Sequence, residues 1–474
     1  MARLVRQARL RYAGMMDDPQ ALLAPAVSRL RHASVLVVGD AMLDRTVYGE
    51  ADRISQEAPV PVLRVQRELS VPGGAASVVR NLSALGAAIA FVSVVGDDQE
   101  GSELTGLIGS QPGVEPWLLV QGGRSTTVKS RYFSQGQQVL RVDREDDGPV
   151  HPKLSERLMR IAREAMAATS AVVLSDYRTG VLDGDVPAQL VAASRQAGRP
   201  VAVGMKGGEF ARYAGAHVMA TPWRNVARAT GLSPSAESDP AVERAGQTLL
   251  HEHGFGAVVV LRTGYGLSLV TADGPPLHLR APATEMFDPM GAGDTILGMI
   301  GAGLAIGLDL PVIVRLAALA SSIVIGRVGV AVLREADLLS ALQPQTTRRK
   351  IVTREGAVER VERWRRAGWH TGFTHGEFAA PGDGDVRLLE AARAACDRLV
   401  VGLAPGADAA VQAARADRLA AIACVDLVVL EDETTPDDLL RALRPELLVD
   451  PAERRLTAEL VREWGGKVLG AGGK

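Results

Sequence analysis

The stretch EMFDPMGAGDTILGMI, residues 285–300, sets Asp294 directly behind Gly291, Ala292 and Gly293 and ahead of an apolar helical pattern. Two chemistries suit that arrangement. An aspartate at a helix mouth accepts hydrogen bonds from the first free backbone N–H groups and caps the helix. Alternatively, the bare N–H groups of residues 291–293 form an anion hole for phosphate oxygens. A carboxylate beside that hole would take a proton from a hydroxyl attacking the phosphate. Short glycine-rich motifs match by chance often enough that this stretch alone leaves both readings open.

The elements that must position Asp294 are legible as an alternation of strands and helices. SVLVVGDAML (34–43) reads as a buried strand ending in a turn. Further apolar runs stand at AFVSVVGD (90–97), AVVLSDY (171–177), PVAVGM (200–205), AHVMATP (216–222) and GAVVVLR (256–262). Helical patterns such as PKLSERLMRIAREAMAA (152–168) lie between them. This alternation predicts an α/β fold with a mostly parallel sheet covered on both faces. Ligands then bind beyond the carboxyl ends of the strands, where Asp40, Asp97, Asp176 and Lys206 fall. Residues 1–33 read as an Arg- and Ala-rich extension, 34–338 as the first domain, and 339–356, around the polar LQPQTTRRKIVTREG, as a linker. A shorter α/β pattern over 357–474 reads as a second, smaller domain.

Composition narrows the function classes. A chain of 474 residues is too long for one ordinary core. With 47% hydrophobic and 23% charged residues it has the make-up of a soluble globular protein. A net charge of −2 gives no reason to expect a nucleic-acid partner. The most apolar region, 296–333, is interrupted by Asp309, Pro311, Arg315 and Arg327, so it predicts buried helices and no membrane partner. Cys396 and Cys424 lie in apolar runs, which predicts buried thiols in a reducing compartment, and no leader pattern opens the chain. A cytoplasmic location is the expectation.

Taken together, VVGDAMLDRTVYGEADRISQEAPVPV (37–62), VPGGAASVVRNLSALGA (71–87), QQVLRVD (137–143), LSDYRTGVL (174–182) and DPMGAGDT resemble the ribokinase-type (PfkB) sugar kinases. More narrowly, residues 34–474 resemble the bifunctional heptose 7-phosphate kinase/heptose 1-phosphate adenylyltransferase family of ADP-heptose synthesis. The resemblance implies a ribokinase-like domain followed by a smaller Rossmann-like nucleotidyltransferase-type domain. It makes Asp294 the catalytic base and Gly291, Ala292 and Gly293 the anion hole. On the sugar side it implies Asp40, Asp44, Arg45 and Asp176 as polar contacts, and Gly73 and Gly74 as the paired glycines of close backbone approach. Ser77 stands where the family has asparagine. Gln138, Arg141 and Asp143 keep the flap segment, and Lys129 and Arg131 are candidates for the sugar's existing phosphate. For the nucleotide it implies Lys206, Arg262, Gly266 and Asp288, with ATP and Mg²⁺ as cofactors and no protein-built metal cluster.

The nucleotide side departs from the family. Its D-P-K-G is Gly204, Met205, Lys206 and Gly207 here, which loses the acid and keeps the lysine. T-P-N-x-x-E, which helps to hold magnesium, is Thr221, Pro222, Trp223, Arg224, Asn225 and Val226. T-R-G is Leu261, Arg262 and Thr263, and the lysine of S-D-Y-x-K-G is Thr179. In the second domain T-N-G-C-F-D-x-x-H-x-G-H-V-R-x-L becomes THGEFAAPGDGDVRLL (374–389), so the two histidines fall on Gly382 and Asp385. The family's lysine motif is replaced by Asp450 and Pro451, and GGKVLGAGGK stands before its serine/threonine-rich nucleotide segment. The expectation is an ATP-dependent sugar-phosphate kinase, homodimeric through its first domain, with a degenerate and truncated adenylyltransferase-like domain. The alternative is a non-catalytic relative that binds a sugar phosphate as a sensor or partner subunit.

Overall fold

A computed structural model of the chain describes residues 19–264, 266–280, 291–326, 332–342, 350–366, 368–378, 382–405, 409–430, 436–450 and 455–470. Strand β1 (Ser34–Gly39) shows why the sheet forms where it does. Val35, Leu36, Val37 and Val38 are all fully buried, the mark of a strand covered on both faces. The other strands of the first unit are β2 (Ala41–Ile54), β3 (Pro61–Gly74), β4 (Ala88–Gly96), β5 (Val114–Gln121), β6 (Val128–Ser134) and β7 (Gln137–Arg144). There follow β8 (Ala171–Asp176), β9 (Val201–Met205), β10 (Val218–Pro222), β11 (Ala257–Leu261), β12 (Leu267–Thr271) and β13 (Leu277–Leu279). Nine of these form one sheet in the order β13-β12-β11-β10-β9-β8-β1-β4-β5, parallel from β11 to β5 and antiparallel at β12 and β13.

The remaining four, in the order β3-β2-β6-β7, make a separate sheet. The stretch 34–43, read as one strand, is therefore two. β1 ends at Gly39, and β2 starts at Ala41 and leaves the main sheet to pair with β3 and β6. The break is fixed at Asp40, whose N–H donates to Ser175 O and whose carbonyl accepts from Ala75 N.

Helix Pro152–Ala168 begins with proline at its first position, behind His151, and buries Leu158, Met159, Ile161, Ala162 and Met166. Helices Ala292–Ala305 and Leu310–Ile325 pack in the core through Ile296, Met299, Ile300, Ile313, Leu316 and Val324. Among the described residues no helix is long and apolar enough to cross a membrane. The supposed extension is in part core. Helix Pro19–Arg29 and the turn after it bury Leu23, Ala26, Val27 and Leu30, a spacing of three, four and seven that makes one helical face.

The chain divides into two compact units, Met1–Leu342 and Gln343–Lys474. The second holds a fully parallel sheet built from β14 (Ile351–Val352), β15 (Thr371–Gly376), β16 (Arg398–Leu403), β17 (Leu427–Leu430), β18 (Leu447–Asp450) and β19 (Lys467–Gly470). Its order, β14-β17-β16-β15-β18-β19, is that of a doubly wound sheet. Cys396 and Cys424 are free thiols, half-buried where the apolar runs predict full burial.

Candidate active site

A cavity of ≈ 690 Å³ opens at the carboxyl ends of the main-sheet strands, within the size range of small-molecule sites. The four-stranded sheet contributes Asp44, Lys129, Arg131 and Arg141 to its lining. The loops after β8 and β9 contribute Tyr177 and Lys206, the start of helix Trp223–Ala229, directly after β10, contributes Trp223 and Arg224, and the β11–β12 turn adds Arg262, Thr263, Gly264 and Gly266. The start of helix Ala292–Ala305 completes it with Gly291, Ala292, Gly293 and Asp294. Gly291, at φ +77°, turns the chain into this helix, a conformation glycine adopts without the penalty of a Cβ. Asp294 is therefore in the first turn, three residues beyond Gly291, and is not itself the N-cap residue.

The Asp294 carboxylate is held from the opposite loop. The Tyr177 hydroxyl donates to Asp294 Oδ1 at 2.5 Å, and the Lys206 ammonium lies 3.9 Å from the centre of the Tyr177 ring. Burial raises the Asp294 carboxyl to about 6, against the opposing pull of the Tyr177 hydrogen bond, the Lys206 charge and the Ser77 hydroxyl. Burial likewise lowers Lys206 to about 8, and Asp294 acts against that fall. Tyr177, pushed well above the ordinary phenol range by burial and by Asp294, stays a donor. The site thus holds a carboxylate whose titration lies near neutrality beside an ammonium of similar sensitivity, the pattern of an acid–base centre.

Opposite stands a cationic wall. Arg131 donates to Asp44 Oδ1 at 2.7 Å. Arg141 binds both oxygens of Asp143, at 2.8 and 2.7 Å, which holds the Asp143 carboxyl below its usual range. Lys129 reaches Asp143 at 3.4 Å and also pairs with Glu145, and burial lowers its pKa. Gly73 lets the Asp44 carboxylate settle against β3, since a Cβ there would lie 2.1 Å from Asp44 Oδ2.

Other residues singled out in the sequence have different surroundings. Asp40 is fully buried and absent from the cavity lining. Its carboxylate accepts from Tyr177 N at 2.7 Å, Val181 N at 3.0 Å and Thr179 N at 3.3 Å. Through these bonds it fixes the loop that carries Tyr177. Asp176, also buried, accepts from Tyr213 Oη at 2.6 Å and Arg178 N at 2.8 Å. Arg45 is spent on Glu68 and Glu103, at 2.9 and 3.0 Å, and Gln138 is exposed on β7 outside the lining. Gly74 and Ser77 do line the cavity. Arg262 lines it too while bound to Glu237 at 2.8 Å and to Asp239. Asp288 lies outside the described residues. The residues that sequence reasoning misses are Tyr177 and Arg224, although each stands inside a motif already singled out.

The changed nucleotide motifs have physical correlates. A Cβ on Gly204 would lie 2.5 Å from Leu297 Cδ2, so the space of an acid at 204 is taken by Leu297. Val226 is fully buried in the core, and Trp223, 2% exposed, donates from Nε1 to Pro234 O at 2.8 Å.

In the second unit the loop after β15 leads to helix Asp383–Ala394. Gly382 N donates to Asp385 Oδ2 at 3.0 Å, so the mouth of this helix is capped by its own carboxylate. Arg415, 5% exposed, donates to Glu377 O at 2.7 Å and Ala404 O at 3.0 Å, tying together the loops that follow β15 and β16.

Comparison with known proteins agrees with this architecture. Residues 32–336 match the pfkB family carbohydrate kinase. The first unit superposes on phosphofructokinase-2 from Escherichia coli in complex with potassium, with a TM-score of 0.56 and 18% identity over 66% of this chain and 98% of that one. Ribokinase from Arabidopsis thaliana complexed with ribose and ATP gives 0.52 and 19%, over 66% and 99%. At such identities the likeness is one of fold. Sequence relatives go further. The Bifunctional protein HldE of Acidiphilium cryptum is 51% identical over 472 residues, 96% of each chain. That of Rhodospirillum rubrum is 44% identical over 471 residues, 95% of this chain and 94% of the relative. Because these alignments run through both units, the chain belongs to the family of bifunctional HldE proteins, with a first unit of the pfkB carbohydrate kinase family.

Proposed function

We propose that the first unit transfers a phosphoryl group from ATP to a hydroxyl of a sugar phosphate of the heptose 7-phosphate type, with Asp294 as the base. The observation that carries this reading is the juxtaposition of Asp294, in the first turn of its helix, with the cations Lys129, Arg131 and Arg141 across one cavity. In this reading the Asp294 carboxylate takes the proton of the attacking hydroxyl, and the N–H groups of residues 291–293 receive the phosphoryl oxygens. Lys129 and Arg141 hold the phosphate already on the sugar, while Asp44, oriented by Arg131, accepts from sugar hydroxyls. Tyr177 positions the base through its hydroxyl. The donor nucleotide is held at the Arg224, Arg262 and Thr263 end. Magnesium, the family's usual companion of ATP, finds no group of three acidic, histidine or cysteine side chains among the described residues.

The test is phosphorus NMR of the protein with ATP and heptose 7-phosphate. A new 1-phosphate resonance together with ADP supports the reading. Saturable sugar-phosphate binding with no turnover would instead favour a non-catalytic sensor, a second reading that rests on Val226 and on the occlusion at Gly204.

The protein is proposed to act as a homodimer through the four-stranded sheet. Val65 and Leu69 on β3 and Val139, Leu140 and Val142 on β7 are exposed, whereas a strand pair covered by a second copy would hide such side chains. Light scattering at micromolar concentration is expected to give twice the 50.0 kDa of one chain. Leu69→Asp with Val65→Asp is expected to return it to one chain. A parent protein that is monomeric throughout would end the proposal.

The division into domains at 34–338 and 357–474 is likewise a proposal, and residues 343–349 of its linker lie outside the described residues. Trypsin is expected to cut first at Arg348 or Arg349. Lys350 should follow more slowly, since its ammonium donates to Ile422 O at 3.1 Å. Early cuts spread through both units would count against the division.

A further inference from the structure

Magnesium in a phosphotransfer site is usually held by one or two carboxylates together with the substrate phosphates. Only two carboxylates stand in the described lining of this cavity, Asp44 and Asp294. Asp44 is ion-paired with Arg131, and Asp294 accepts from Tyr177 and faces the Lys206 charge. Position 204 is a glycine packed against the Leu297 side chain, and Val226 is sealed in the core, so neither supplies a carboxylate. The described residues therefore do not fit a metal at the donor end.

Positive charge is instead abundant around the cavity as a whole. Arg131, Arg141, Lys129 and Arg262 are all paired with carboxylates. Lys206 rests on the Tyr177 ring, and Arg224 lines the cavity, exposed and without a carboxylate partner among the described residues. The same cavity wall includes Ser321, which is 1% exposed and whose hydroxyl has no hydrogen-bond partner among the described residues. A buried hydroxyl left unpaired at a cavity wall is costly unless a ligand completes it.

We propose that the donor end binds the polyphosphate of a nucleotide without a divalent metal, with Arg224 and Lys206 supplying the positive charge that a metal would supply. Arg224 is the principal contact, because a guanidinium pairs phosphate oxygens two at a time and holds its charge at any working pH. The proposal rests on the reading of this cavity as a phosphoryl-transfer site.

Isothermal titration of ATP into the full chain, once with EDTA and once with excess magnesium, tests it. The two dissociation constants are expected to agree within about threefold, and Arg224→Ala is expected to weaken both by about tenfold. Arg224→Lys should recover part of that loss, and sugar-phosphate binding should be unchanged by either variant. ATP binding weakened more than about tenfold by EDTA would overturn the proposal, because a metal would then be bridging. So would an Arg224→Ala variant that binds ATP as the parent does. Turnover separates the two readings. Metal-free ATP binding without phosphoryl transfer would sink the kinase and leave the anion site standing. Turnover with ATP binding that requires magnesium would do the reverse.

Discussion

Asp294→Asn is expected to lower phosphoryl transfer by about a hundred- to ten-thousand-fold while leaving sugar-phosphate affinity within about twofold. Asparagine keeps the shape and can still accept from Tyr177, but it cannot take a proton. The groups proposed to hold the sugar phosphate, Asp44, Lys129 and Arg141, belong to the other sheet and are untouched. The measurement is single-turnover transfer beside titration of the sugar phosphate. Equal rates for variant and parent would remove Asp294 from the role of base.

The same variant carries a signature in pH. With the carboxyl near 6, the base is ionised only above that value, so the rate of the parent should rise through pH 6. Lys206, titrating near 8, loses its charge above that, and the rate should fall again if the ammonium stabilises transferred charge. The two groups interact, so the limbs belong to the pair. Stability moves in the opposite sense to activity. A carboxyl raised from 3.8 to about 6 means that the folded chain keeps a proton that the unfolded chain has lost. This contribution is fully present below about pH 4 and is lost as pH rises through 6. Asp294→Asn, which cannot ionise, should therefore be more stable than the parent at pH 7.5, by on the order of 2 kcal/mol. The two melting curves should draw together at pH 4. A variant that is less stable at pH 7.5 would show that the Lys206 and Tyr177 contacts outweigh the burial of the charge.

How far the sequence speaks depends on what each residue must do. The runs Val35–Val38 and Val258–Val260 can be read as central strands because burial on both faces leaves a continuous apolar signature. Asp294 is legible because a carboxylate after a glycine turn has few roles. Asp40 shows what a motif leaves open. A motif shows that an acid is needed but not which way it faces, and three backbone N–H groups from residues 177–181 claim this one. The strand break at residue 40 is equally hidden, since Met42 and Leu43 continue the apolar run although they already belong to the second sheet. Tyr177 has no signal of its own: only the fold brings it 2.5 Å from a residue more than a hundred positions away. The helix before β1 escapes notice because its Arg-rich surroundings mask a short apolar face.

The second unit is expected to release no pyrophosphate from ATP with heptose 1-phosphate, although it folds. Its core is intact: Leu399, Val401, Leu403, Leu419 and Val428 are buried around the parallel sheet. Its anion site is not. A helix mouth attracts a phosphate because its first N–H groups lack partners and carry the positive end of the helix dipole. At helix Asp383–Ala394 the Asp385 carboxylate sits on that mouth and accepts from Gly382 N at 3.0 Å, so it neutralises the end that a triphosphate would use. An incoming phosphate would meet a like charge at close range, a repulsion on the order of a few kcal/mol near a protein surface. Gly382, meanwhile, has no side chain with which to donate. Replacing both residues by histidine would remove the carboxylate and restore two donors, but Asp385→His also strips the helix of its cap, which costs about 1 kcal/mol. Asp450 at the end of β18 still stands where the family has its lysine motif. The double variant is therefore expected to bind ATP weakly and to release pyrophosphate no faster than the parent. Asp385→Asn separates the two effects, because the amide oxygen can still accept from Gly382 N without the charge, and it should improve ATP binding while adding no turnover. Robust pyrophosphate release by the unmodified protein would refute the argument, since other residues would then have to hold the triphosphate.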